Sequence, residues 1–242
     1  MRVIRIFQAG PFELGQSVEL SAEAGHHVGV VLRMRVDDVV TLFCGDNREF
    51  QAVITEIHKK RVRVHINAIE AIDRESSRDI HLAQAISKGD RMEWVVQKAV
   101  ELGVKSITPL ITAHCAVKLD EERLLKKQQQ WQAIAMSACE QSGRNYVPKI
   151  FPTCLFETYV QQNNASLKLI LHPTAELSWR DISVSKGDIA LLIGPEGGLS
   201  EAEIKSAQSH QFKALGLGPR ILRTETAAIA ALSVLQALGG DL

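Results

Sequence analysis

Hydrophobic and polar positions along the 242 residues change their rhythm once, between residues 70 and 79. Before that stretch, short β-branched runs recur between Gly, Asp or Asn, at residues 2–7, 38–43, 49–57 and 61–66. Each predicts a strand. The last alternates strictly, with Arg61, Arg63 and His65 on one face and Val62, Val64 and Ile66 on the other. A period of two predicts a half-buried strand with a basic outer face. After residue 79, apolar runs alternate with helical periods, the pattern of a mostly parallel sheet. Strands are predicted at 80–86, 107–111, 167–171, 189–193 and 212–217. The stripe Met92, Val95, Val96, Ala99 and Val100 predicts a helix capped by Asp90 with Glu93 and ended by Gly103. A longer helix is predicted over 120–142, with Leu124, Trp131, Ile134, Ala135 and Ala138 inward and Gly143 at its end. The stretch 227–238 is apolar nearly all round, so it must bury most of its faces in a core or a subunit interface.

The polar break EAIDRESSRD divides the chain into 1–72, rich in β-structure, and 73–242, an α/β domain. The second domain carries two glycine loops. The apolar run 189–193 breaks into Gly194-Pro195-Glu196-Gly197-Gly198, and Ser200 with Glu203 forms a capping box that starts a helix. The strand 212–217 runs into Gly216-Leu217-Gly218-Pro219-Arg220-Ile221-Leu222-Arg223-Thr224-Glu225-Thr226. Strand, glycine loop and helix in that order hold nucleotide-type ligands at the carboxyl edge of α/β sheets. Neither loop is a phosphate-binding P-loop, because no Gly-Lys-Ser/Thr follows. Neither has the Gly-x-Gly-x-x-Gly spacing of a dinucleotide site.

Taken together, LLIGPEGGLSEAEI and LGLGPRILRTETAAIAAL resemble the C-terminal motifs of the SPOUT-class RNA methyltransferases. Within that class the chain is similar to the RsmE family, which methylates N3 of a 16S ribosomal RNA uridine, usually numbered 1498, in the decoding region. Further segments resemble the family's motifs: His27 to Arg33, Lys88, Arg91, Glu93, Lys98 with Glu101-Leu102-Gly103, and Glu140-Gln141-Ser142-Gly143-Arg144. The resemblance implies an N-terminal PUA-like β-barrel that binds RNA, and a SPOUT domain with a parallel sheet and a deep trefoil knot. It also implies S-adenosyl-L-methionine as cofactor, a homodimer formed through the C-terminal domain, and the small (30S) ribosomal subunit as substrate.

Composition narrows the class without identifying it. The chain is 45% hydrophobic and 23% charged, ordinary values for a globular protein, and its 28 basic residues balance 28 acidic ones. A general polyanion binder would be basic overall, so RNA must be met by local clusters. The longest apolar run is too short to span a bilayer and the N-terminus has no signal-peptide core, so a cytoplasmic protein without membrane contact is expected. Cys44, Cys115, Cys139 and Cys154 are widely spaced with no CxxC, which fits reduced thiols rather than zinc or a disulfide scaffold. His26 and His27 have no third ligand at a useful spacing, so no metal site is expected.

The resemblance implies that the cofactor rests on Ile193, Gly194, Glu196, Gly197 and Gly198, on Leu215, Gly216, Leu217 and Gly218, and on Ile221, Leu222 and Thr224. Leu171 and His172, at the end of their strand, are candidates for the same pocket. Methyl transfer to an imide nitrogen needs its proton removed and the resulting anion stabilised. Glu225 is the candidate base, and Arg144 or Arg223 the candidate cation. Glu225 also suits the first turn of a helix, and Arg144 a helix C-terminus, without any catalytic role. RNA-backbone contacts are expected from Arg5, Arg33, Arg35, Arg61, Arg63, Lys88 and Arg91, with Lys59 and Lys60 beside them. Two alternatives remain open: the same fold acting on a ribose 2′-hydroxyl or a tRNA base, and a non-catalytic RNA-binding assembly factor.

Overall fold

A computed structural model describes residues 4–58, 61–115, 120–175, 177–184 and 187–242. The chain forms two units, the first from residues 1–75 and 136–147, the second from 76–135 and 148–242.

In the first unit, β1 (Ile4–Phe7), β2 (Ser17–Glu19), a one-turn helix α1 (Ala22–His26), β3 (Val39–Phe43), β4 (Arg48–His58) and β5 (Arg61–Ala71) follow in order. The strands form a mixed sheet in the order β1-β3-β4-β5-β2, in which only β1 and β3 run parallel. The alternation in β5 is as the sequence predicts, with Val62, Val64 and Ile66 fully buried opposite exposed Arg61 and Arg63. These valines meet Val40, Leu42, Phe50 and Ile54 in one core. β2, α1 and the π-helical turn His27–Val31 that follows have no counterpart in the sequence prediction. Each is five residues or fewer, too short to display a period.

Residues 136–147 are held in this unit by partly buried polar bonds. Glu49 accepts from Arg5 and from Arg74. Arg5 also donates to the Arg144 carbonyl (3.0 Å) and to Asn145 Oδ1 (2.7 Å). The Phe7 amide donates to Glu140 (3.0 Å), and the Arg144 guanidinium lies on the Glu75 carboxylate.

The second unit contains β6 (Ile80–Ala85), α2 (Arg91–Glu101), β7 (Ser106–Ile111), α3 (Glu121–Ser142, whose last turns belong to the first unit), β8 (Lys149–Ile150), β9 (Cys154–Leu155) and α4 (Phe156–Gln162). It continues with β10 (Leu167–Leu171), β11 (Leu177–Ser178), β12 (Ile189–Ile193), α5 (Glu201–Ser209), β13 (Lys213–Gly216) and α6 (Thr224–Gly239). Among the described residues the strands form one sheet, β11-β13-β10-β12-β6-β7-β8, with β9 also beside β7. Every pairing in it is parallel. β12 is buried at all five positions, as a continuous apolar run in the middle of a covered parallel sheet should be.

The Ser200–Glu203 capping box forms as the spacing predicts. The one expected at α2 does not. Asp90 stands at the N-cap, but its φ of −82° and ψ of 1° turn its side chain from the amides, and it makes no capping bond. Glu93 instead accepts from Gln130 on α3 at 2.7 Å.

Candidate active site

β13, β10 and β12 lie side by side and parallel, so their carboxyl ends open at one edge of the sheet. The loops that follow them converge on a cavity of about 590 Å³. Leu171, Ile193, Leu215, Leu217 and Leu222 give it an apolar lining, and Gly194, Gly198 and Gly218 present main chain to it. Of the residues the sequence singles out for the cofactor, His172, Glu196, Ile221 and Thr224 line it as well. Gly197 and Gly216 do not. A Cβ on Gly197 would meet His114 Cβ at 3.0 Å, and one on Gly216 would meet the Ala175 carbonyl at 3.2 Å. These two glycines allow the loops to pack on their supports.

Four contacts hold the loops in place. Thr224 Oγ1 donates to the Gly194 carbonyl at 2.7 Å, and Gln84 Nε2, fully buried at the end of β6, donates to Thr224 Oγ1 at 2.9 Å. His114 Nδ1 lies 3.1 Å from the Gly197 carbonyl and 3.2 Å from that of Gly198. Both oxygens are acceptors, so that nitrogen must carry the proton. The Gly198 φ of +71° turns the chain back into α5, a conformation that only glycine enters without strain.

The cavity's charged wall is made of Arg91, Glu196, Arg220, Arg223 and Glu225. Glu196 accepts from Arg91 Nη1 at 2.5 Å and from the Lys88 amide at 3.0 Å. Burial alone would raise the Glu196 carboxyl. Backbone amides, its own and that of Lys88, and the Arg91 guanidinium outweigh it and hold the group below the usual carboxylate range. Glu225 is 14% exposed, in the first turn of α6, with Oε1 at 3.8 Å from Arg91 Nε. Its Oε2 is buried with no hydrogen-bond partner among the described residues. A carboxyl oxygen kept from water without a partner is costly, and such atoms mark places where a ligand supplies the missing partner.

The remaining candidates are distributed over both units. Arg223 is exposed at the cavity and makes no ion pair among the described residues. Arg144 is buried in the first unit on Glu75, and Arg5, partly buried in the same unit, lies on Glu49. Arg33 and Arg35 are exposed, as are Arg61 and Arg63, which have Glu19 within 3.7 Å and 3.6 Å. Lys88 and Arg91 are in the second unit. Lys59 and Lys60 lie outside the described residues. The sequence prediction missed Gln84, His114 and Arg220. Gln84 alone left a signal, as a polar residue near the carboxyl end of an otherwise apolar strand.

The cavity fits S-adenosyl-L-methionine. Its leucine-rich lining suits an adenine face, and glycine main chain suits the polar edges of adenosine. Phosphate would need clustered cations without carboxylates between them, and here Glu196 and Glu225 stand among the arginines.

Residues 74–236 match the model of the RNA methyltransferase domain, and residues 20–67 that of the RNA methyltransferase PUA domain. The chain is 35% identical over 241 residues to the ribosomal RNA small subunit methyltransferase E of Buchnera aphidicola, covering 99% of this chain and 95% of that one. It is 33% identical to its Bacillus subtilis namesake, over 92% and 91% of the two chains. Among solved structures, a methyltransferase of Legionella pneumophila with bound SAM aligns over the full length of both chains with 55% identity and a TM-score of 0.98. The ribosomal RNA small subunit methyltransferase E of Neisseria gonorrhoeae bound to S-adenosyl methionine also aligns over both full lengths, with 39% identity and a TM-score of 0.93.

Proposed function

Because the chain belongs to the ribosomal RNA small subunit methyltransferase E family, we propose that it methylates N3 of uridine 1498 in 16S ribosomal RNA, using S-adenosyl-L-methionine. The observation that carries the chemistry is the bare carboxylate oxygen of Glu225 at the cavity.

The cofactor, held by the main chain of the 193–198, 215–218 and 221–224 segments, supplies an electrophilic methyl group. The rest falls to the chain's own side chains. Glu225 takes the N3 proton, for which its Oε2 has a vacant lone pair. Arg223, exposed at the same wall, offsets the charge that develops on the uracil carbonyl oxygens. Arg144 is engaged by Glu75, so the anion-stabilising role goes to Arg223. Arg91 keeps Glu196 and Glu225 on one side of the cavity. The leucine-rich lining excludes water, which would otherwise compete for the proton and the methyl group.

RNA outside the cavity is met by the exposed arginines Arg33, Arg35, Arg61 and Arg63 of the first unit, and the substrate is the 30S subunit in the cytoplasm. The knotted chain path is part of the same proposal, as is a homodimer through α6, supported by Leu238 remaining 39% exposed on that helix.

The test is transfer of labelled methyl to unmodified small subunits, mapped by reverse transcription. A single stop at one 16S uridine is expected, since an N3 methyl blocks pairing. Incorporation without a stop would move the acceptor to a ribose. Absence of both incorporation and cofactor binding would leave a non-catalytic RNA-binding protein.

A further inference from the structure

N3 of a uridine lies on its pairing edge, so the acceptor must reach this enzyme unpaired, and a base removed from its helix needs a new surface to stack on. The second unit offers one. Beside the cofactor cavity is a second, more open cavity of about 670 Å³, whose walls include Lys88, Asp90, Arg91, Trp94 and Thr226. Arg91 and Glu225 line both cavities, so the proposed base stands where the two meet.

Trp94 is the unusual member. It lies three residues after Arg91 on α2, a spacing that places both side chains on one helix face. Its neighbours Met92, Val95 and Val96 are buried beneath the helix, yet Trp94 is 44% exposed. Its indole contacts no other ring or cation among the described residues. The fold therefore leaves a large aromatic side chain partly exposed next to Lys88, Arg91 and the bare Oε2 of Glu225. Cations for the backbone and an aromatic face for the base are how unpaired nucleotides are held.

We propose that the second cavity receives the acceptor uridine, its base stacked on Trp94 and its phosphate beside the exposed Lys88, with N3 directed to Glu225. The assignment rests on the methyl-transfer function proposed above and adds the residue that holds the base. Stacking is tolerant of base identity, so Trp94 acts on acceptor affinity, and selection of one uridine falls to contacts elsewhere along the RNA.

Steady-state transfer from labelled S-adenosylmethionine to unmodified 30S subunits, with the full-length wild type, Trp94→Ala and Trp94→Phe, tests it. Trp94→Ala should raise the KM for subunits by about 10- to 100-fold, with calorimetric affinity for S-adenosylmethionine and the melting temperature unchanged. Trp94→Phe should recover most of the loss. An unchanged KM in Trp94→Ala would overturn the proposal, as would an equal loss in Trp94→Phe. Lost cofactor affinity would instead make Trp94 a wall of the first cavity. A shift to monomer by light scattering with KM unaltered would assign the face to a second copy of the chain. If the wild type itself transfers no methyl group, it is the functional assignment that fails; a working wild type with an unaffected Trp94→Ala rejects Trp94 alone.

Discussion

The hydroxyl of Thr224 donates to the carbonyl oxygen of Gly194 at 2.7 Å and so fastens the start of α6 to the loop that follows β12. Thr224 is itself fixed by the buried amide of Gln84, 140 residues earlier in the chain. The two glycine loops and the end of β6 thus share one hydrogen-bonded joint beneath the cavity.

Thr224→Val keeps the shape and removes the hydroxyl. It leaves the Gln84 amide with a lost acceptor in a buried position, which should cost about 1–3 kcal/mol of stability. Cofactor affinity should fall roughly tenfold, the equivalent of about 1.4 kcal/mol, because the first loop loses its tether. Urea unfolding and calorimetry read the two effects. A variant unaltered in both would show that the joint does not hold the loop.

Glu225→Gln retains size and removes the base. Turnover should drop on the order of 100-fold with cofactor affinity nearly intact. Single-turnover methyl transfer is the measurement, and an unchanged rate would reassign Glu225 to the first turn of α6 as a favourable helix-terminal charge.

Gly197→Val places a branched side chain where even a Cβ would stand 3.0 Å from His114 Cβ. The loop must move off its support, so cofactor binding should be lost while circular dichroism stays that of the folded protein. Retained affinity in a calorimetric titration would contradict this.

Acid should weaken the fold through Glu49 and Glu196. At Glu49 burial raises the carboxyl, but the Arg74 and Arg5 guanidiniums outweigh it and hold the group low; Glu196 is held low by backbone amides and Arg91. A carboxyl depressed in the folded state stabilises it fully above the ordinary glutamate range, and that contribution is lost as pH falls through the lowered folded value. Melting temperature should therefore decline below about pH 4. Glu49→Gln should already be less stable at neutral pH, because Arg5 and Arg74 lose their shared partner, and it should show a shallower acid limb. A parallel acid limb in wild type and variant would exclude Glu49 as a contributor.

Much of the architecture is legible in short-range pattern. The alternation from Arg61 to Ile66, the apolar run of β12 and the Ser200–Glu203 box each depend on neighbours within four residues. Local sterics and hydrogen bonding therefore express them in any context that buries the right face. The resemblance of the two glycine loops to a known family pointed to the cavity in the same way, because each loop directly follows its strand. Tertiary structure decided what depends on strand order and crossovers. It joined Gln84, Gly194 and Thr224, put His114 under Gly197, and paired Glu203 with the Ala113 amide at 2.7 Å. It placed Arg144 on Glu75 in the first unit, although α3 begins in the second. It also left Trp94 uncovered beside Glu225, on a helix where its sequence neighbours are buried. Spacing along the chain carries no record of such pairs, because their geometry arises only when a parallel sheet brings distant strand ends to one edge.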